Sequence, residues 1–338
     1  MDTMLGDLIV PEGFAPAYRA LREAAGACYS ERDLVSLRGP DSLELLQSQL
    51  TQDLSSLAVG GSAESLVLSP KGRLDAYLRV TRAAPDWLVL DVAAGWGPAV
   101  LERLERFRIR ARVEISPLEW QCLSIKGPET TSLYGALEPG SSHQPGGANI
   151  VDASWPGLPG LDILGPAPTV PPGVQLLSDL TTPQGAPESP WLAWEAVRIE
   201  AGIPAMGKEL TTRSIPAETG LLERTVSFTK GCYTGQELVA RMAARHNRAP
   251  RRICGLVLGS SDMAQTVEPS SPWPRPGSEV RLDGAACGIV TTSSISLQLQ
   301  APVALAIVSR DVPLPSEVSV SDAGYIRAAS ARELPLIR

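Results

Sequence analysis

The apolar segments of this chain are short and often interrupted. The longest, Ala301 to Val308, contains Pro302. A bilayer-spanning helix needs about 20 apolar residues, so no membrane span is expected. The same brevity limits the fold to short strands and short amphipathic helices joined by turns. Three strand-like runs, Glu64 to Leu68, Leu74 to Thr81 and Trp87 to Val92, are separated only by Pro70-Lys71-Gly72 and Ala84-Pro85-Asp86. Gaps of that length make hairpins, because a parallel crossover takes a dozen residues or more. Around them, Leu43, Leu46, Leu50 and Leu54, and then Trp96, Val100, Leu104 and Phe107, recur at helical spacing. Asp41 and Glu44 stand as a capping box before the first of these helices. A short strand, Leu34 to Leu37, precedes it, so this part reads as an α+β layer.

A further strand is expected over Trp120 to Lys126 and a helix near Glu129 to Leu137. The stretch Pro139 to Pro190 holds 11 of the 30 prolines. It admits only short strands, at Asn149 to Asp152 and Leu161 to Leu164. Ser189-Pro190 then opens a helix through Trp191, Trp194, Val197 and Arg198 to about Ala201, with proline at the first helical position. After about residue 250 the pattern is all β: Ile253 to Leu258, Glu279 to Leu282, Gly288 to Thr292, Ile295 to Leu299 and Ala304 to Ser309, spaced as in a small barrel or sandwich. With 338 residues, two or three units are expected. They are placed at residues 1–115, 116–250 and 251–338.

The chain carries 37 acidic and 30 basic residues, a net charge of −7, which argues against direct RNA binding over a broad basic surface. The beginning, Met-Asp-Thr-Met-Leu-Gly-Asp, has no basic segment followed by an apolar run, so a cytoplasmic location is expected. Cys28, Cys122, Cys232, Cys254 and Cys287 are scattered without a C-x-x-C pair, and His143 and His246 are the two histidines. This argues against a disulfide framework and against a metal site.

The segment most suggestive of chemistry is Lys230-Gly231-Cys232-Tyr233-Thr234-Gly235-Gln236-Glu237. Val226 to Phe228 reads as the end of a strand, and Thr234 to Glu237 as a capping box that starts a helix. Cys232 would then lie just before a helix N-terminus and two residues from Lys230, and both favour a thiolate. A cysteine packed inertly under the helix start fits the same residues. Arg241, Arg245, Arg248, Arg251 and Arg252 follow, five arginines in twelve residues. They suit a polyanion, with a solvated helix end as the alternative. Glu200 opposes the dipole at the end of its helix. Either an arginine partner or a ligand with adjacent N–H donors would explain it.

Lys230 to Glu237 closely resembles the signature of the YgfZ family of folate-binding proteins, which share a fold with the aminomethyltransferase of the glycine cleavage system. The resemblance extends to Arg198-Ile-Glu-Ala-Gly-Ile-Pro204, Ile215-Pro-Ala-Glu218-Thr-Gly220, Leu50-Thr-Gln-Asp53, Pro70-Lys-Gly-Arg73, Leu78-Arg-Val80, Asp283-Gly284 and Cys287-Gly-Ile-Val-Thr-Thr292. It implies a three-part α+β cloverleaf, with two ferredoxin-like units and a C-terminal β-barrel around a central folate channel. It implies tetrahydrofolate or a derivative as ligand, and iron–sulfur proteins or their assembly machinery as partners, with a link to tRNA modification. By similarity Glu200 grips the pterin edge, where a carboxylate can accept two N–H bonds. Arg198, Lys230, Gly231, Tyr233, Gln236 and Arg241 complete the expected folate site, and Cys232 supplies redox or nucleophilic chemistry. Aminomethyltransferases carry paired aspartates where this chain has Ala76-Tyr77, with Asp75 one place early. Many relatives also have a glycine that is missing from Arg245 to Arg251. The expected function is therefore an accessory role in iron–sulfur cluster assembly or repair. A folate-dependent one-carbon transferase or demethylase is the alternative.

Overall fold

The computed structural model describes residues 3–5, 8–136, 147–180, 189–244, 249–259, 273–322 and 324–338. A hairpin of β1 (Thr3–Leu5) and β2 (Leu8–Val10) leads into helix α1 (Phe14–Glu23) and strand β3 (Gly26–Ser30). The first α+β unit follows as β4 (Arg32–Arg38), α2 (Ser42–Gln49), β5 (Ser62–Leu68), β6 (Leu74–Ala84), β7 (Trp87–Ala93), α3 (Gly97–Phe107) and β8 (Glu114–Pro117). Its ferredoxin-like antiparallel sheet has the order β5-β6-β7-β4-β8. One face buries Leu37, Leu78 and Leu90 against Leu46, Leu50, Val100 and Leu104 from the helical segments. Each such leucine contributes about 1.5–3 kcal/mol when fully buried.

The second unit comprises β9 (Gln121–Lys126), α4 (Thr130–Ala136), β10 (Asn149–Asp152), β11 (Gly160–Gly165), β12 (Gln175–Leu176) and α5 (Ser189–Ala201). Its sheet order is β10-β11-β9-β3-β12. Strand β3 lies within residues 1–115, yet pairs with β9 from Gly26↔Lys126 to Ser30↔Cys122. The second sheet therefore includes a strand contributed from the N-terminal side of the first sheet. Pairing is non-local, and five residues of strand carry no mark of which sheet they will join. Two short helices, α6 (Leu222–Thr225) and α7 (Gln236–Ala243), precede the barrel.

The barrel closes in the order β13-β16-β15-β14-β17-β18. Its strands are β13 (Arg251–Leu258), β14 (Glu279–Leu282), β15 (Ala285–Ser296), β16 (Ala301–Ser309), β17 (Ser316–Asp322) and β18 (Tyr325–Arg332). The run expected at Gly288–Thr292 and the first two residues of the one expected at Ile295–Leu299 lie in one strand, β15, with a register shift between Val290 and Thr292, while Leu297 to Leu299 form the turn that leads to β16. Such a bulge lets a single strand bend around a small barrel. The capping box at Asp41 is absent. The Asp41 carboxylate instead accepts from the backbone N–H and the guanidinium of Arg112.

The other face of the first sheet meets the second sheet. Leu34 and Val89 pack there on Cys122, Val151 and Leu164. Charge crosses the same layer. Arg79 donates from Nε to Asp91 at 2.9 Å and from a terminal nitrogen to Asp162 at 2.8 Å, so one guanidinium joins β6, β7 and β11. Arg32 also binds Asp91. Lys126 lies 3.7 Å from Asp162 and over the rings of Trp155 and Trp194. Burial opposes ionisation of Asp162, but Lys126 and Arg79 outweigh it and hold its carboxyl at about 2. A carboxyl whose folded pKa is depressed stabilises the fold above its unfolded pKa, and that stability is lost as pH falls through the folded value. Urea unfolding between pH 5 and pH 2 is therefore expected to show a loss of about 2 kcal/mol from this group. In Asp162→Asn that share of the acid dependence disappears.

Candidate functional site

Two glycines in the left-handed conformation, Gly72 (φ +71°) and Gly235 (φ +83°), meet across the site. Gly72 closes the turn between β5 and β6, where its N–H donates to the Ser69 carbonyl at 2.8 Å. Gly235 precedes α7. A Cβ on Gly235 would stand 2.6 Å from the Ser69 oxygen and 3.1 Å from the Gly72 Cα. A Cβ on Gly72 would stand 2.5 Å from the Leu238 Cβ. Neither position has room for a side chain, and both need a φ that other residues adopt at a cost of about 1–2 kcal/mol. Thr234 does not cap α7, because Gly235 takes the N-cap position with no side-chain hydrogen bond. Tyr233 and Val239 pack with Leu66, Leu68 and Leu74, which seats the whole segment on the end of the first sheet.

Lys230 fastens the same segment from the other side. Its Nζ donates to the backbone carbonyls of Gln47, Leu50 and Gln52, each at 2.8 Å. Three donors meet three acceptors, so the ammonium is saturated. Burial pushes it down to about 8, against the pull of Asp53. Thr51 adds two bonds, from Oγ1 to the Thr225 carbonyl and from the Ser227 N–H to its own carbonyl. Val226 to Phe228, expected to end a strand, instead docks on this turn. Leu50-Thr-Gln-Asp53, Pro70-Lys-Gly-Arg73 and Lys230 to Gln236 thus converge, although they are far apart in the chain.

Between the buried anchors Lys230 and Tyr233 lie two exposed residues, Gly231 and Cys232. Lys230 faces the carbonyl turn and does not hydrogen-bond the thiol. Helix α7 starts four residues after Cys232, at Gln236. Cys232 is nevertheless set apart, since it alone of the five thiols is exposed. Burial pushes Cys28 and Cys254 up to about 12 and raises Cys122 and Cys287 as well. Gly231 has neither a positive φ nor any atom within 4 Å of where a Cβ would stand. The fold places no demand for glycine there. Gln236 is half-buried and Arg241 is exposed on α7. Arg245, His246 and Arg248 lie outside the described residues, as does His143. Arg251 pairs with Glu218 and Arg252 with Glu333.

Glu200 and Arg198 belong to a different place, where α1, α5 and the barrel meet. The Glu200 carboxylate is fully buried and accepts from the Tyr18 hydroxyl at 2.6 Å and from Nε and a terminal nitrogen of Arg22. The arginine partner that offsets the helix dipole at Glu200 is therefore Arg22. Arg198 is spent on Glu195, Glu209, the Ile203 carbonyl and Thr292. In this conformation neither side chain is turned to a ligand. Sequence reasoning missed Tyr18, Arg22 and Glu209 because nothing local marks them. Leu50 to Asp53 was recognisable only by resemblance, since its contribution is carbonyl oxygens.

This geometry sits on the aminomethyltransferase fold. The crystal structure of glycine cleavage system aminomethyltransferase T from Bartonella henselae superposes with a TM-score of 0.75 at 19% identity, covering 100% of this chain and 94% of that one. No family model matches the chain. Among sequence relatives, the tRNA-modifying protein YgfZ of Edwardsiella ictaluri is 27% identical over 296 residues, 85% of each protein. The aminomethyltransferase of Rubrobacter xylanophilus is 27% identical over 344 residues, 96% of this chain and 86% of that protein. The chain thus has the aminomethyltransferase fold, and its sequence is similar both to tRNA-modifying proteins named YgfZ and to aminomethyltransferases.

Two outcomes follow from the packing. Gly72→Ala is expected to lose about 2 kcal/mol or more, from the left-handed φ plus the clash with Leu238, whereas Gly231→Ala stays within about 1 kcal/mol of wild type. Urea denaturation of both variants checks this. With limiting iodoacetamide on the folded protein, Cys232 is expected to label first, with Cys122 and Cys254 waiting on unfolding. Peptide mapping by mass spectrometry reads the order.

Proposed function

We propose that the chain is a folate-binding accessory protein that supports the assembly or repair of iron–sulfur clusters and, through them, tRNA modification. The observation that carries this reading is the exposed Cys232 thiol on a two-residue bridge anchored at both ends, on an aminomethyltransferase fold and in a sequence similar to tRNA-modifying proteins. Such a thiol is accessible to a partner or ligand and has a defined position. Tetrahydrofolate or a derivative is the ligand, with its pterin directed at Glu200. To reach that carboxylate the pterin takes acceptor positions now held by Tyr18 and Arg22. Cytoplasmic location fits this role. Among the described residues, no helix is long and apolar enough to cross a membrane.

The one-carbon transferase reading is weakened at β6. Asp75 is bound to Arg103 at 3.0 Å, Ala76 is buried, and the Tyr77 hydroxyl donates to Glu64 at 2.7 Å. Burial and Glu64 raise the Tyr77 pKa further, so it is not an anionic acceptor at neutral pH. No ammonia release from an aminomethylated lipoyl carrier is therefore expected, and release well above background would favour the transferase.

Calorimetric titration with tetrahydrofolate tests the ligand directly. Glu200→Gln is expected to weaken binding about ten- to hundredfold, the worth of a charge-assisted acceptor pair. Unchanged affinity in a folded variant would remove Glu200 from the site, and no binding by wild type would remove folate. Cys232→Ala is expected to fold, to bind folate as wild type does, and to fail in supporting iron–sulfur enzyme activity in cells.

A further inference from the structure

We propose that Lys230 is a positioning residue for Cys232: its ammonium, held by the carbonyls of Gln47, Leu50 and Gln52, fixes the place of the neighbouring thiol. The inference deepens the reading of Cys232 as the working group, and its geometry stands apart from any folate chemistry.

The thiol forms no hydrogen bond of its own among the described contacts, and it is exposed. Its position must come from the backbone on either side. On the far side the Tyr233 ring is buried against Leu66, Leu68 and Leu74. On the near side the chain is exposed at Phe228 and Thr229, and the next fixed point is Lys230. The three bonds from Nζ cross 178 to 183 residues of sequence, so they tie Cys232 to the first unit rather than to its own neighbourhood. The ammonium also lies near the Tyr233 ring, with Nζ 5.4 Å from its centroid. Both anchors of the two-residue bridge are therefore coupled. Gly231, between them, has open space where a side chain would be. It adds no packing that could replace the lysine.

A carbonyl cage of this kind is selective. A guanidinium is planar and cannot aim three donors from one atom, and a methionine keeps the length but offers none. Without the ammonium, three carbonyls of the 47–52 turn lose their shared donor, and the near anchor of the bridge is released.

The test is a nitroxide label on Cys232 of the full-length protein, with the labelled site checked by mass spectrometry. The wild type is expected to give an immobilised spectrum. Lys230→Met is expected to lose the immobilised component, and amide hydrogen exchange at residues 47–53 and 227–232 is expected to accelerate. Val303→Ala in the barrel serves as the control for general destabilisation. It is expected to lower the melting temperature while leaving the label spectrum unchanged. If Lys230→Met does not fold, Lys230→Gln carries the same comparison. In wild type, the Lys230 ammonium is expected to give a side-chain 1H–15N signal protected from solvent exchange. An unchanged label spectrum in a folded Lys230 variant, the same loss of immobilisation in Val303→Ala, or an unprotected Lys230 ammonium would each overturn the proposal. Tetrahydrofolate titration reports separately on the functional reading, so failure of one does not imply failure of the other.

Discussion

The contact between Gly72 and Gly235 is the constraint on which the site depends. Two backbones approach there with no side chain between them, both in a conformation that L-residues rarely adopt. The joint brings the turn of a hairpin in the first unit onto the start of α7. Once it forms, Leu238 has a seat, Tyr233 is carried into the leucine cluster of β5 and β6, and Lys230 is directed at the turn after α2. Interiors close-packed in this way leave no alternative arrangement of nearly equal energy. An exposed loop gains a defined shape although its own residues bury little.

A second organising element is the charge trapped between the two sheets. Arg79 satisfies carboxylates from both, and Asp91 is wholly buried. Burying ions costs several kcal/mol each, so such a group is weak evidence of net stability. Its geometric effect is stronger, because a sliding sheet would leave unpaired charge in the interior. The same logic applies where α1, α5 and the barrel meet. Glu200 there binds Tyr18 and Arg22, and its carbonyl accepts from the Leu336 N–H. One residue thus links the N-terminal helix, α5 and the segment after the last barrel strand.

Local elements with strong periodicity were legible in the sequence. The hairpins of the first sheet, α3, α5 and β10 follow directly from alternation, helical spacing and turn residues. The last two barrel strands were not. Ser316–Asp322 carries its two valines among polar residues, and Tyr325–Arg332 is rich in alanine. Their strand character comes from closing the barrel, not from their own pattern. The helix caps misled for a related reason. Asp41 and Thr234 have the right chemistry for capping, but Arg112 competes for one, and the glycine joint moves the helix start past the other.

The sequence by itself pointed to the α+β class, an all-β C-terminal end, the resemblance carried by Lys230 to Glu237, and Cys232 as the thiol to single out. Those follow from residue type and spacing, which are local properties. The tertiary structure decided that Lys230 serves three carbonyls instead of the thiol, and that Glu200 and Arg198 are held by internal partners. It also decided that β3 joins the second sheet. Each of these depends on which distant groups fold closure brings within about 3 Å, the range of a hydrogen bond. Backbone carbonyls, moreover, are present at every residue. No sequence pattern marks the three that a lysine nearly two hundred positions away will find.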